Sequence, residues 1–98
     1  MQIEVRQTDV YEAWFDQLKD RQARARITAR IRRLSLGNPG DAKPIGQGVV
    51  EMRIDYGPGY RLYFTRRGDV VAILLCGGDK RTQRQDIVRA IELAREIA

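Results

Sequence analysis

The sequence predicts an α+β fold in the order β-α-α-β-β-β-α: a small, mostly antiparallel sheet with an N-terminal αα-hairpin and a C-terminal helix. Three observations predict it. Residues 51 to 64 alternate with period two on either side of Gly57-Pro58-Gly59, the pattern of a β-hairpin. Residues 11 to 34 repeat their apolar side chains at helical spacing, in two runs separated near Asp20. Residues 70 to 76 are apolar without interruption, as a strand covered on most of both faces requires.

Ile3 and Val5 alternate with Gln2, Glu4 and Arg6, which gives a short first strand with one buried face. Thr8 or Asp9 can cap a helix in which Tyr11, Trp14, Phe15 and Leu18 form a single stripe, so its aromatics are assigned to packing. Asp20 can begin a second helix with Ala23, Ile27, Ile31 and Leu34 on one side and Arg21, Arg24, Arg26, Arg30, Arg32 and Arg33 elsewhere. Two readings of that arginine face stand: a solvated surface, or a contact with a polyanion. Gly37 followed by Asn38-Pro39-Gly40 stops the helix. Residues 37–48 hold four of the nine glycines and two of the three prolines, and read as a loop returning the chain to the sheet.

In the hairpin, Met52 and Ile54 share one face with Leu62 and Phe64, while Glu51, Arg53 and Asp55 share the outward face with Arg61, Tyr63 and Thr65. Pairing Ile54 with Tyr60 sets Arg53 opposite Arg61 and Glu51 opposite Tyr63. Two opposed arginines repel, at a cost of up to about 1 kcal/mol, so an anion belongs between them. Arg66-Arg67-Gly68-Asp69 is a second tight turn, and Val70–Cys76 is the strand the sheet is built around. Gly77-Gly78 ends that strand and permits a sharp turn or a close approach to a ligand. Thr82-Gln83-Arg84-Gln85 has capping-box spacing. The last helix therefore starts near Thr82, buries Ile87, Ala90, Ile91 and Ala94, and leaves Arg84, Arg89, Glu92 and Arg95 in solvent.

Length and composition narrow the function classes. The 98 residues suffice for one domain, 1–98, and 43% apolar with 32% charged residues is an ordinary globular balance. Eighteen bases against 13 acids give +5, and 15 of the bases are arginine, whose planar fork suits phosphate oxygens and base edges. Without histidine, histidine acid-base chemistry and Cys/His zinc sites are excluded. Cys76 has no partner for a disulfide and reads as a buried, inert thiol. There is no apolar signal core near Met1 and no apolar run of the ~20 residues a membrane span needs, which points to the cytoplasm.

The candidate site gathers Arg53 and Arg61 on the hairpin with Lys80 and Arg81 from the turn after the apolar strand. An antiparallel meander brings the start of the second hairpin strand beside Gly78–Lys80. Such a cluster, with Tyr60 or Tyr63 beside it, suits a phosphodiester and the charge that builds as a 2′-hydroxyl attacks, and it requires no metal. Arg53 has a duller alternative in pairing with Glu51 or Asp55. Lys80 and Arg81 precede a helix N-terminus, where cations oppose the helix dipole, and an anionic ligand would explain them. Arg24, Arg30 and Arg33 on the second helix, with Tyr60 and Arg84, are the candidate RNA contacts.

The run from Gly48 to Phe64, containing Arg53-Ile54-Asp55-Tyr56-Gly57-Pro58-Gly59-Tyr60-Arg61, resembles the addiction-module killer proteins. So do Leu74–Gln83, with Gly77-Gly78-Asp79-Lys80-Arg81-Thr82-Gln83, and Asp86-Ile87. These are the HigB-like (phage Gp49-like) toxins of the RelE/ParE superfamily. The resemblance covers nearly the whole chain. It implies the RelE/ParE-like arrangement of elements and the toxin of a type II toxin-antitoxin system. It also implies ribosome-dependent mRNA cleavage without cofactor or metal. The partners it implies are a cognate antitoxin, here a helix-turn-helix protein, the ribosome with its mRNA, and operator DNA through the antitoxin alone; no membrane is involved. Matched by position, Arg61 falls on the arginine that follows Gly-Tyr, and Lys80 and Arg81 fall on the basic residues after the closing glycine. Two departures stand out: Asp86-Ile87 occupies the place of a late tyrosine, and the histidines of other HigB-like toxins are missing. Lys80, Asp79 or Tyr63 would then have to carry protons, Asp79 having the weakest claim because a helix N-terminus already explains it. Two alternatives stay open, a ParE-like gyrase poison and a non-catalytic antitoxin-binding module.

Overall fold

The computed structural model describes residues 2–97, and its helices begin where side chains can satisfy free main-chain amides. After strand β1, Glu4–Gln7, helix α1, Asp9–Asp16, opens at Thr8, whose hydroxyl accepts the Tyr11 amide at 3.1 Å. Helix α2, Arg21–Ser35, opens at Asp20, whose carboxylate accepts the amides of Gln22 and Ala23. It closes at Gly37, which adopts φ 93; the Gly37 amide returns to the Leu34 carbonyl and the Asn38 amide to that of Arg33, both at 2.9 Å. This double return needs a left-handed residue and explains the glycine.

The rest of the chain is β2, Ala42–Gly46; β3, Val49–Ile54; β4, Tyr60–Arg67; β5, Val71–Gly78; and helix α3, Gln83–Glu96, entered through a short 3-10 turn at Lys80–Thr82. The five strands lie in the order β1-β5-β4-β3-β2. β1 runs parallel to β5 and every other pair is antiparallel, so the fold is α+β with a mixed sheet and three helices.

The hairpin register is the one that alternation implies: Ile54 faces Tyr60, Arg53 faces Arg61 and Glu51 faces Tyr63. Three expectations need correction. The stretch 37–48 is not all loop, because Ala42–Gly46 pairs with the free side of β3 as an edge strand. Pro44 fits there because an edge strand has one side on which no amide donor is needed. The apolar run is interior, but the middle of the sheet is β4, since β2 adds a strand on the far side. β5 runs two residues beyond Cys76, so that Gly77 and Gly78 are its last two residues and not the turn after it.

α1 and α2 cover one face of the sheet, where Tyr11, Ile27, Leu34, Met52, Leu62 and Phe64 form the larger core. α3 covers the other, its Ala90 and Leu93 packing on Val49, Tyr63, Leu75 and Cys76. Each fully buried aliphatic side chain contributes about 1.5–3 kcal/mol relative to exposure, so both faces hold the sheet. The hairpin face expected to look outward is therefore covered over part of its length, and Glu51 and Tyr63 are each 0% exposed. No helix among the described residues is long and apolar enough to cross a membrane.

Candidate functional site

Alternation puts Arg53 and Arg61 on the α3 side of the sheet, one step along from the buried Glu51–Tyr63 pair. The N-terminus of α3 stops short of them. Arg61 is paired to Gly78 across β4 and β5, so the turn that follows β5 arrives beside it. The Lys80 amide then donates to the Pro58 carbonyl at 3.4 Å, which ties that turn to the hairpin loop. A cavity of about 400 Å³ opens here, lined by Asp41, Arg53, Ile54, Asp55, Gly59, Arg61 and Lys80. Three of the predicted cations thus meet in one place, against two carboxylates.

Their partners differ. Arg53 pairs with Asp41 at 2.9 Å, not with Glu51 or Asp55, and both members of the pair are solvent-exposed. An exposed pair of this kind contributes about 0–1 kcal/mol, so an incoming anion can compete for the arginine. Arg61 donates through Nη1 to the Gly59 carbonyl at 2.9 Å, and its Nε lies 3.9 Å from Glu51 Oε1. The side chain of Arg61 is 13% exposed. Lys80 is exposed and has no carboxylate partner among the described residues. The Nε atoms of Arg53 and Arg61 are both buried without an acceptor. Buried donors are almost always paired, so these two are anomalous, and the one on Arg61 faces the equally unpaired Oε1 of Glu51.

The other predicted residues lie elsewhere. Arg81 is held by Asp79, Nη2 to Oδ2 at 3.0 Å, and stands outside this cavity. With Lys80, Arg84 and the first turn of α3 it lines a neighbouring hollow of about 390 Å³. Asp79 caps the 3-10 turn and accepts from Arg81, and that bond first of all holds its carboxyl below the usual range. Tyr63 is a correction: its hydroxyl donates to Glu51 Oε2 at 3.0 Å inside the core under α3. Burial first, then that bond, pushes its phenol far up, so it keeps its proton and lies behind the cavity. Tyr60 is half-buried on the other face, its ring 6.2 Å from Trp14, because alternation turns it away from Arg61.

Two arginines expected to contact RNA have their forks committed to the main chain. Arg24 donates to the carbonyls of Phe15 and Leu18 at the end of α1 and sits over the Phe15 ring. Arg30 donates to the carbonyls of Arg53, Pro39 and Asp41, pinning the approach to β2 against the end of β3. Arg33 remains exposed, beside a smaller hollow of about 280 Å³ shared with Arg26. Arg30→Met is expected to cost about 1–3 kcal/mol, since it strands part-buried carbonyls, and to loosen Asp41 from Arg53; urea unfolding measures it.

Asp86 lies under this framework, its Oδ2 accepting the Thr82 hydroxyl at 2.6 Å. Thr82 thus serves Asp86, and α3 has no side-chain cap of the Thr82–Gln85 kind. Burial raises the Asp86 carboxyl, the Thr82 bond acts against that rise, and the charge of Asp79 adds to it. The folded chain holds this proton more tightly than the unfolded one. Its stabilising contribution is present below the ordinary carboxylate value and lost as pH rises through the shifted one. Asp86→Asn should therefore raise the melting temperature near about pH 7 and lose that gain near about pH 3, as read by calorimetry. The Cys76 thiol is pushed up to about 12, by burial first and then by Asp86, and is inert as expected.

Asp41, Glu51 and Gln83 are the site residues that sequence reasoning missed or underrated. Asp41 sat in a presumed loop, and Gln83 in a presumed cap. Glu51 carried a usable signal, its place opposite Tyr63, but nothing local showed that a helix would cover it.

Comparison with known proteins adds two findings. The family model described as "Phage derived protein Gp49-like (DUF891)" matches residues 13–97. A protein of Haemophilus influenzae, described as uncharacterized, is 47% identical over 97 residues, covering 99% of this chain and 98% of its own length.

Proposed function

Because the chain belongs to the phage-derived Gp49-like family, we propose that it is the toxin of a type II toxin-antitoxin pair, a HigB-like member of the RelE/ParE superfamily that cuts mRNA on the ribosome. The observation that supports this best is the meeting of Arg53, Arg61 and Lys80 around one cavity. In such a cleavage a ribose 2′-hydroxyl gives up its proton to water and attacks the adjacent phosphorus, and the 5′-oxygen leaves and takes a proton, while negative charge grows on the non-bridging oxygens. Fixed guanidinium and ammonium groups stabilise that charge where water is partly excluded. Lys80 is the proton donor this reading assigns to the leaving oxygen, and no metal takes part. The partners are a cognate helix-turn-helix antitoxin, which carries the pair to operator DNA, and the translating ribosome in the cytoplasm.

The test is primer extension on message from cells in which expression arrests growth, beside the same RNA incubated without ribosomes. Codon-phased cuts confined to translated message are expected. Intact message in arrested cells refutes the nuclease reading. One observation favours a second: Tyr63 is sealed in the core and the chain has no histidine, so proton carriers are few. A ParE-like gyrase poison needs none, and it would give SOS induction with intact message. Harmless expression would leave only antitoxin binding.

A further inference from the structure

We infer that Glu51 is a positioning residue that aims Arg61 into the cavity. The inference takes its functional consequence from the phosphodiester reading above, while its geometry stands without it. Among the described residues Glu51 is the buried charged side chain, at 0% exposure. A carboxylate is costly to bury unless its oxygens are held, and here one of them is held from two elements. Oε2 accepts the Tyr63 hydroxyl from β4 at 3.0 Å and the Gln83 side-chain amide from the start of α3 at 2.9 Å. Oε1 has no hydrogen-bond partner, and 3.9 Å away lies Arg61 Nε, which has none either.

Two complementary orphan atoms facing each other define an orientation. The distance exceeds a hydrogen bond, yet the charges attract strongly across a buried gap. On its other edge the guanidinium donates from Nη1 to the Gly59 carbonyl. Gly59 lies at φ 81, and a Cβ there would come within 3.3 Å of that same Nη1. Arg61 is thus fixed between a buried carboxylate and a turn carbonyl, and its Nη2 donates to no protein group among the described residues. That nitrogen is the donor left for a ligand. A long side chain held this way loses little further freedom on binding, which is how such a contact gains strength without new atoms.

A simple neutralising role for Glu51 makes the opposite forecast. If its charge only offsets Arg61, Glu51→Gln removes a negative charge from a cationic site and RNA binds more tightly. If it positions Arg61, the amide NH₂ presents a donor to Nε, turns the guanidinium away, and RNA binds more weakly.

The experiment uses the full chain and a labelled single-stranded RNA of about six nucleotides. Binding is followed by anisotropy for the wild type, Glu51→Gln, Arg61→Ala and the double variant. In parallel, proton-nitrogen spectra follow the Arg61 Nε–H signal. Glu51→Gln is expected to weaken binding about 10-fold, and the double variant to bind no worse than Arg61→Ala. The Nε–H signal, slow to exchange in the wild type, should shift and exchange faster in Glu51→Gln. Equal or tighter binding by Glu51→Gln, additive losses, or an unmoved Nε signal overturns the inference. If the wild type does not bind free RNA while the Nε signal responds to Glu51→Gln, the positioning contact stands and its consequence is read instead from cleavage of translated message, where unchanged cleavage by Glu51→Gln overturns it. Should Glu51→Gln fail to fold, Gln83→Ala releases one of the two bonds on Oε2; it is expected to move the same signal and weaken binding by about 3-fold, and an unmoved signal again overturns the inference.

Discussion

Arg61→Ala is expected to lower RNA cleavage on the order of 100- to 1,000-fold, with loss of growth arrest, while the chain stays folded. The magnitude is that of removing one preorganised donor from a developing negative charge, and Arg61 is the cavity cation with the least freedom to be replaced. Its Nη1 is held by Gly59 and its Nε faces Glu51, so no neighbouring side chain can swing into the same place. Arg61→Lys restores the charge without the fork and should recover only a small part of the loss. The measurement is message cleavage in a reconstituted translation reaction, with thermal melting as the check on folding. Unchanged cleavage in a folded Arg61→Ala protein would sink the assignment of this cavity. Lys80→Ala should also reduce cleavage, with a different pH dependence if the amine hands over a proton.

The second large effect is on stability. Gly77→Ala is expected to destabilise by about 1–3 kcal/mol or slightly more, because a Cβ there would sit 2.4 Å from the Trp14 ring. That ring is wedged between Tyr11 and Tyr60, with centroids at 5.8 and 6.2 Å, and cannot step aside without repacking both. For a chain of this size the melting temperature should fall by roughly 4–8 °C per kcal/mol. Gly78→Ala places its Cβ 1.8 Å from Asp86 Oδ2. A carboxylate can rotate away at the cost of its bond to Thr82, so this substitution should cost less than Gly77→Ala and be partly relieved in an Asp86→Ala background. Unfolding of the single and double variants by urea decides it; equal costs with no relief would mean that the strand itself moves.

The hairpin was legible because its alternation and its Gly-Pro-Gly loop both act over a few residues. That local logic placed Arg53 opposite Arg61 and brought Gly78 beside Arg61. It failed where a distant element decides the outcome. Ala42-Lys43-Pro44-Ile45-Gly46 has the composition of a turn and becomes a strand because β3 offers a free edge. Tyr63 and Glu51 look solvent-facing by alternation, and are buried because α3 comes back across them. Arg24 and Arg30 are indistinguishable in sequence from solvated arginines of the same helix; only the positions of the Phe15, Pro39 and Arg53 carbonyls separate them. Of the four cations expected together, Arg53, Arg61 and Lys80 line one cavity and Arg81 does not, and the Asp41 that shares the cavity was not foreseen.

The parallel pairing of β1 with β5 carries one more consequence. Glu4 to Gln7 meet their partners at Val71 to Leu74, so the first strand has nothing to pair with until β5 has been made. A contact spanning such a distance is entropically expensive and slow to form. During synthesis α1 waits for β5, the strand it packs against, and any product truncated before β5 lacks both the seat for β1 and the turn that brings Lys80 to Arg61. Emergence of β5 and the turn after it thereby becomes the step at which the site is assembled.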